Sequence, residues 1–144
     1  MLIKHLSLLA VLVFSFFFTG EARAMAQSVE NDGSIYYTCH SANWPTAQNT
    51  LCTAVAEYLE QKGHHAAPLS GEIQDGLLLE FFLDDLQDHS ISGRLVWSQC
   101  NSGTCGAKTE SPRLDTTVMD AVVSPRSYGN LVKSLFLVTK PPMK

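Results

Sequence analysis

The sequence predicts an α+β domain: a small antiparallel sheet of three to four strands with two amphipathic helices on one face, stapled by disulfides. Three observations predict it. Apolar residues recur at helical spacing in two segments, they alternate at strand spacing between those segments, and four cysteines form two pairs that are close in sequence. Packing the helices on one face of the sheet is a stable way to bury the apolar faces of both.

The first strand and the first helix follow each other closely. The strand is predicted at Ile35–Thr38, which is β-branched and aromatic. Trp44 and Pro45 end it, and proline suits the first turn of a helix. The helix is predicted over Thr46–Lys62 because one face of it is apolar, and Gly63 ends it. The residues of that face are Leu51, Val55, Tyr58 and Leu59.

The middle of the chain predicts three further strands. Leu77–Leu83 is dense in apolar residues and Ile91–Gln99 alternates between apolar and polar, with Asp84–Ser90 as a polar connector between them. The chain then turns at Asn101–Gly103, and Cys105–Glu110 is predicted to return as a strand that pairs with the one before the turn.

Two alternatives stay open in this region. A helix could instead claim Leu77–Leu86, although the glycine before it and its two adjacent phenylalanines favour a strand. The stretch Leu114–Val123 is ambiguous, with a short strand around Thr116–Met119 as its best interpretation.

The last helix has a clear beginning and a clear end. Ser124 followed by Pro125 is a cap residue followed by proline at the first helical position, and Pro141 stops the helix near Lys140. The predicted order is therefore β-α-β-β-β-α. It forms one domain over residues 35–144, preceded by a loose polar leader at residues 27–34.

Residues 1–26 have the pattern of a secretory signal peptide. Lys4 precedes a predominantly apolar run of 13 residues, Leu6–Phe18, and sites for signal peptidase end at Ala24 and Ala26. The run is shorter than the roughly 18–20 residues of a spanning helix. We therefore expect export by the Sec route, to the periplasm if the organism is bacterial, with no stable membrane anchor after cleavage.

The charge balance argues against some partners. The chain has 10 basic and 14 acidic residues, a net charge of −4, and removal of the signal peptide leaves a net charge of −5. Nucleic-acid binding needs a basic surface, so it is not expected. No polybasic run that would attract anionic lipid is present either.

All four cysteines lie in the exported part of the chain. An even number in an exported domain predicts two disulfides, and three connectivities are open. We favour Cys39–Cys52 and Cys100–Cys105, because each pair is local and brackets a turn. A redox enzyme is disfavoured, because the close pair has four residues between its cysteines and not the two of a catalytic motif.

Chemistry-bearing residues are densest at Asp84, Asp85, Asp88 and His89. Carboxylates with a histidine could hold a metal, so a small secreted hydrolase or metal-dependent enzyme built on these four residues is one hypothesis. A solvated acidic connector is the simpler interpretation. The common nucleophile motifs are absent from the sequence, and no cofactor is expected.

The favoured hypothesis is a small accessory protein without catalytic activity that binds another envelope or secreted protein. Aromatic residues are enriched where proteins bind one another, and Trp44 and Tyr37 are the predicted contact residues. The sequence leaves the partner and the oligomeric state open.

Overall fold

The computed structural model describes residues 33–73, 75–119 and 121–144. The predicted signal peptide lies outside these ranges, and so does the predicted leader apart from Gly33 and Ser34.

The described residues form two helices and seven strands. The helices are α1 (Pro45–Gln61) and α2 (Pro125–Thr139). The strands are β1 (Ile35–Ser41), β2 (Ala66–Pro68), β3 (Gly76–Gln87), β4 (Ser90–Asn101), β5 (Thr104–Cys105), β6 (Thr109–Glu110) and β7 (Leu114–Thr117).

The strands form one mixed sheet. β1 lies between β2 and β3 and is parallel to both, whereas β3 is antiparallel to β4. The short strands β5, β6 and β7 pair one after another with the other edge of β4, all antiparallel. The order across the described sheet is therefore β2-β1-β3-β4, followed by the three short strands.

The α+β class with two helices is confirmed, but the prediction of a three- to four-stranded antiparallel sheet is wrong in strand number and direction. α1 returns the chain across the sheet, so β1 runs parallel to β2 and β3. Alternation of apolar residues reports which side of a strand is buried, but not the direction of its neighbour. The additional strand β2 has three residues, Ala66–Pro68, too few to show any alternation.

The prediction of a polar connector over Asp84–Ser90 is also wrong. β3 continues to Gln87, so only Asp88 and His89 separate it from β4. Polar residues continue a strand where its end projects beyond the core, which is why their composition resembled a loop. The predicted return strand Cys105–Glu110 is broken into β5 and β6, and the short strand expected around Thr116–Met119 is β7, shifted toward the N-terminus.

Both helices begin where local signals placed them. Pro45 is the first residue of α1, and Pro125 is the first residue of α2. Before α2, the Ser124 N–H donates to Ser127 Oγ at 3.1 Å. This hydrogen bond caps the N-terminal end of the helix. After α2, Lys140 adopts a left-handed conformation with φ of 47°, and Pro141 follows.

Both helices pack on the same face of the sheet. The core between them holds alternate residues of β1, β3 and β4 together with the apolar faces of α1 and α2. Its fully buried members include Phe81, Leu51, Leu59, Leu79, Ile91, Leu95, Leu131 and Leu135. A smaller cluster of Ile73, Leu78 and Cys100 lies on the opposite face. The rest of that second face is not covered by a helix, and we call it the open face.

Two disulfides are present, Cys39–Cys52 and Cys100–Cys105. The first joins β1 to α1 and sits in the core, with Cys39 only 5% exposed. The second joins β4 to β5 across a tight turn. This is the pairing that the local spacing favoured.

Candidate functional site

Trp44 lies at one end of the sheet, between the end of β1 and the start of α1. Its N–H donates to Ser41 Oγ at 3.1 Å, and its carbonyl accepts from the Gln48 N–H at 2.8 Å. The Ser41 N–H in turn donates to the Gln48 side-chain oxygen at 3.0 Å. These bonds hold the backbone of the loop, and the indole is half-buried against the core.

Two adjoining cavities meet at Trp44. One, of about 440 Å³, runs along the first turn of α1. The other, of about 320 Å³, lies beside the β3–β4 turn. Trp44, Leu86 and Tyr128 line both, so the two cavities form one continuous depression. We call this depression the Trp44 groove.

The connection between β7 and α2 forms one wall of the Trp44 groove. Its backbone is tied to the β3–β4 turn at both ends: the Val118 N–H donates to the His89 carbonyl and the Val123 N–H to the Asp88 carbonyl, each at 2.8 Å. Within this wall, Val122 is 64% exposed beside the groove, and Met119 nearby is 85% exposed. Val118 and Val123 are thus held against the β3–β4 turn, and Met119 and Val122 are exposed next to them.

Tyr128 closes the bottom of the Trp44 groove. It is 6% exposed and belongs to the core cluster. Burial raises the pKa of the Tyr128 hydroxyl above its ordinary value, because the charged form would lose hydration. The groove therefore has an aromatic floor, and Gln87 and Asp88 add polar surface on the side of the β3–β4 turn.

The open face carries an ordered row of side chains beside the Trp44 groove. His40, Phe82 and Arg94 are direct neighbours on β1, β3 and β4. The His40 ring stacks on Phe82 with centroids 4.7 Å apart, and the Arg94 guanidinium carbon lies 4.3 Å from the Phe82 centroid. Phe82 is thus flanked by a histidine on one neighbouring strand and an arginine on the other.

Carboxylates fix the charged members of this row. Arg94 Nε donates to Asp84 at 3.2 Å, and Arg94 Nη1 donates to Glu110 at 2.9 Å. Burial acts to lower the pKa of Arg94, but the charges and hydrogen bonds of Asp84 and Glu110 outweigh it, so the pKa is raised. Glu80 lies 3.6 Å from His40 Nε2 and accepts from Lys108 Nζ at 3.1 Å.

A third cavity, of about 220 Å³, joins the open face to Trp44. Its lining includes Trp44, His40, Phe82, Asp84 and Arg94. Within the described part of the chain, His40 Nε2 and Asp84 Oδ2 are both buried and make no hydrogen bond. Polar atoms of this kind usually find a partner, so this rim of the Trp44 groove can accept one from outside.

The structure does not gather Asp84, Asp85, Asp88 and His89 into one site. Asp84 pairs with Arg94 on the open face, whereas an Asp85 oxygen lies 3.9 Å from Arg113. His89 Nδ1 contacts the Ala121 carbonyl. Among residues 33–73, 75–119 and 121–144, no three histidine, cysteine or acidic side chains are placed to share a metal ion. The four residues are dispersed because adjacent residues of a strand point in different directions.

The two predicted contact residues have different surroundings. Tyr37 is 9% exposed and packs in the core beneath the helices, so it offers a partner little surface. Its position is corrected from partner-binding to core, because it shares the buried side of β1 with Ile35 and Cys39. Trp44 remains a candidate contact residue, because it lines all three cavities at this end of the molecule.

A larger cavity, of about 490 Å³, lies elsewhere and is less suited to binding a protein. It is lined by Gly33–Tyr36, Gly63–Ala67 and Lys144. Gly33 is the first residue that the structure describes, so this cavity adjoins the point where the described chain begins. The Trp44 groove is the better candidate, because aromatic and exposed aliphatic side chains meet there.

The sequence did not reveal the other residues of the Trp44 groove. Leu86 fell in the predicted polar connector, Val122 in the ambiguous stretch, and Tyr128 in the apolar stripe of the last helix. They come from separate elements, so no spacing along the chain joins them.

No family model matches this chain, and no curated protein matches it. Solved structures are similar to it. One is the PelC dodecamer from Paraburkholderia phytofirmans, at 6% identity and a TM-score of 0.48, covering 72% of this chain and 84% of that chain. Another is lipoprotein GNA1162 from Neisseria meningitidis, at 10% identity and a TM-score of 0.44, covering 72% and 95%.

A third similar structure is a minor lipoprotein from Acinetobacter baumannii, at 12% identity and a TM-score of 0.37, covering 72% of this chain and 87% of that chain. In the described ranges, neither helix is both long and apolar enough to span a bilayer.

Proposed function

We propose that this chain is an exported accessory protein without catalytic activity, which binds another envelope or secreted protein through the Trp44 groove. One observation carries the proposal: Trp44 lines three adjoining cavities at a single end of the molecule, and Val122, which is 64% exposed, lines one of them. Aromatic side chains in such depressions supply much of the energy of protein recognition.

The Trp44 groove is suited to receive an apolar side chain from a partner. Its walls contain Leu86, Val122 and Tyr128, which offer aliphatic and aromatic surface in one place. Each large apolar side chain that becomes buried contributes about 1.5–3 kcal/mol before the costs of association are counted. An aliphatic or aromatic anchor is therefore the expected center of the partner's contact.

The backbone around the groove is fixed before a partner arrives. Trp44 is held by Ser41 and Gln48, and the Val122 wall is tied to the β3–β4 turn. A pre-organised surface loses less conformational entropy on binding than a flexible loop. The groove thus needs little rearrangement to bind a partner.

The polar rim adds specificity. His40 and Asp84 line the cavity beside Trp44, and within the described residues His40 Nε2 and Asp84 Oδ2 are buried without a hydrogen bond. A partner with a donor placed for Asp84 would satisfy an atom that is otherwise costly to leave buried. A partner that lacks this donor would bind more weakly, because the atom would stay unpaired.

Site-directed photo-crosslinking in the producing cells tests the proposal. A benzophenone amino acid replaces Val122 in the Trp44 groove, and in a separate strain it replaces Thr53, an exposed residue of α1. We expect one discrete crosslinked protein from the Val122 position and none from the Thr53 position. The crosslinked protein is identified by mass spectrometry and purified for affinity measurements.

A substitution at an exposed residue, which should leave the fold intact, provides a second test. Val122→Glu places a charge in an apolar groove at an exposed position, and Thr53→Glu adds the same charge on α1. We expect Val122→Glu alone to weaken binding of the purified partner, by about tenfold or more. Equal crosslinking from both positions, or equal affinity of both glutamate variants, would show that the groove is not the contact surface.

A further inference from the structure

The outer face of α2 carries a stripe of cations. Arg126, Asn130, Lys133 and Leu137 follow one another at spacings of four, three and four residues, and Lys140 comes three residues later at the end of the helix. All five are exposed. This spacing places them on one side of the helix, opposite the buried residues. We call these five residues the α2 stripe.

The surroundings of the α2 stripe are unusual for an acidic protein. The whole chain has a net charge of −4, yet residues 121–144 contain four lysines and arginines and no aspartate or glutamate. The acidic residues of the neighbouring helix are Glu57 and Glu60, which are exposed on α1. The positive charge is therefore concentrated on one helix.

The cations of the α2 stripe differ from Arg94, Lys108 and Arg113 on the sheet side, because those three have a carboxylate beside them. Arg94, Lys108 and Arg113 all lie within 4.0 Å of an acidic side chain. Within the described residues, no such ion pair is found for Arg126, Lys133 or Lys140. Their charge is available to an external anion.

One exposed aliphatic residue, Leu137, belongs to the α2 stripe, and a second, Val138, is its neighbour along the helix. Leu137 is 61% exposed and Val138 is 51% exposed, and both are near the C-terminal end of α2. Exposed aliphatic side chains next to lysines are typical of surfaces that lie at the boundary between water and lipid.

The shape of the α2 stripe favours a flat, adaptable anionic surface. Seven residues of helix rise by about 10 Å, so the three cations are spread over about 20 Å along a convex helix. No cavity is lined by this part of α2 among those at the described surface. Mobile lipid headgroups can move to meet separated cations, whereas a protein partner would need acidic groups at matching positions.

We infer that the α2 stripe binds reversibly to a membrane containing anionic phospholipid, with Leu137 entering the headgroup region. The sequence shows no polybasic run because the cations are seven residues apart, and only the helix brings them into line. Such binding is peripheral and needs no helix that spans the membrane. The Trp44 groove is lined by Tyr128, which lies on the buried side of α2, opposite the α2 stripe, so the groove stays available to a protein.

Cosedimentation of the purified protein with vesicles tests this inference. One set of vesicles is phosphatidylcholine alone, and the other is equal parts of phosphatidylcholine and phosphatidylglycerol. At low ionic strength we expect binding to the anionic vesicles only, and we expect added salt to release the protein. Removal of two cations in Arg126→Gln/Lys133→Gln is expected to lower the partition coefficient by about 30-fold.

The matched control removes the same charge from the sheet side. Lys108→Gln/Arg113→Gln is expected to change the partition coefficient by less than about threefold, because those cations lie away from the α2 stripe. Circular dichroism establishes that all variants are folded.

Three outcomes would overturn the inference. The first is no binding of the wild-type protein to anionic vesicles, and the second is an equal loss of binding in both double variants. The third is retention on immobilised polyglutamate without binding to anionic vesicles, which would assign the α2 stripe to an acidic protein partner.

Discussion

Arg94 lies over the ring of Phe82, with its guanidinium carbon 4.3 Å from the ring centroid. The two residues are cross-strand neighbours on β3 and β4, and the Arg94 charge is held by Asp84 and Glu110. Arginine and aromatic residues in this geometry attract each other, and the contact shields the ring from water. This pair orders the open face beside the Trp44 groove without help from a helix.

Loss of Arg94 should lower the free energy of unfolding more than loss of Arg113, whose ion pairs are longer. We expect Arg94→Ala to lower the free energy of unfolding by about 1–2 kcal/mol, because the Phe82 contact is lost and Asp84 is left without its partner. The control is Arg113→Ala, whose ion pairs span 3.9 and 3.7 Å at a side chain that is 52% exposed. Its expected cost is below about 0.5 kcal/mol. Urea denaturation measures both, and equal costs would contradict the assignment.

Two glycines should respond to alanine in opposite directions. At Gly93 a Cβ would lie 2.7 Å from the Phe82 carbonyl oxygen and 3.2 Å from Leu131 Cδ2, under α2. We expect Gly93→Ala to cost about 1–3 kcal/mol, because β4 or α2 has to shift. At Gly129, inside α2, a Cβ would meet nothing within 4 Å. Gly129→Ala should therefore stabilise the protein by about 0.5–1 kcal/mol.

The thermal midpoints of the two alanine variants check this prediction. They should move to opposite sides of the wild-type value. A fall of the midpoint in both variants would mean that the space around Gly129 is less open than the structure shows.

The two disulfides should contribute unequally to stability. The Cys39–Cys52 bond joins residues that are 13 positions apart in the chain, and the Cys100–Cys105 bond joins residues that are 5 positions apart. The entropy of loop closure gives about 3 kcal/mol for the first and about 2 kcal/mol for the second. Replacing each pair by alanines and comparing urea midpoints tests the order. A larger loss from Cys100→Ala/Cys105→Ala would contradict it.

Tyr128 should make the protein less stable at alkaline pH. Its pKa is raised in the folded state by burial, so its contribution is intact below the ordinary value of 10.0 and is lost as the pH rises through the folded-state pKa. Between about pH 9 and about pH 11, the free energy of unfolding should fall less in Tyr128→Phe than in wild type. Tyr58, whose pKa is also raised by burial, should still lower the free energy of unfolding at alkaline pH in the variant. An identical fall in both proteins would count against this role of Tyr128.

Local signals predicted the helices well, because the chemistry that begins and ends a helix is written in neighbouring residues. Pro45, Ser124, Pro125 and Pro141 all lie at helix ends in the structure. Sheet direction and strand length are set by contacts between distant segments, so neither could be taken from alternation alone. The same limit applied to Asp84, whose partner Arg94 is on another strand.

The candidate site was predicted only in part, for the same reason. Trp44 stood out as an aromatic residue in a loop, but its role depends on Leu86, Val122 and Tyr128, which the fold brings to it. Tyr37 has the same chemical character and is buried, because strand parity turns it toward the helices. Residue type indicated candidates for binding, and only the fold distinguished between them.

The most direct test of the account is the affinity of the crosslinked partner, in purified form, for the Trp44→Ala variant. Isothermal titration should show a Kd about 30-fold weaker than that of the wild type, as expected for an aromatic anchor, while Thr53→Ala binds normally. Folding of the Trp44→Ala variant is checked by its urea midpoint. A folded Trp44→Ala protein that binds the partner as tightly as the wild type would contradict the central claim.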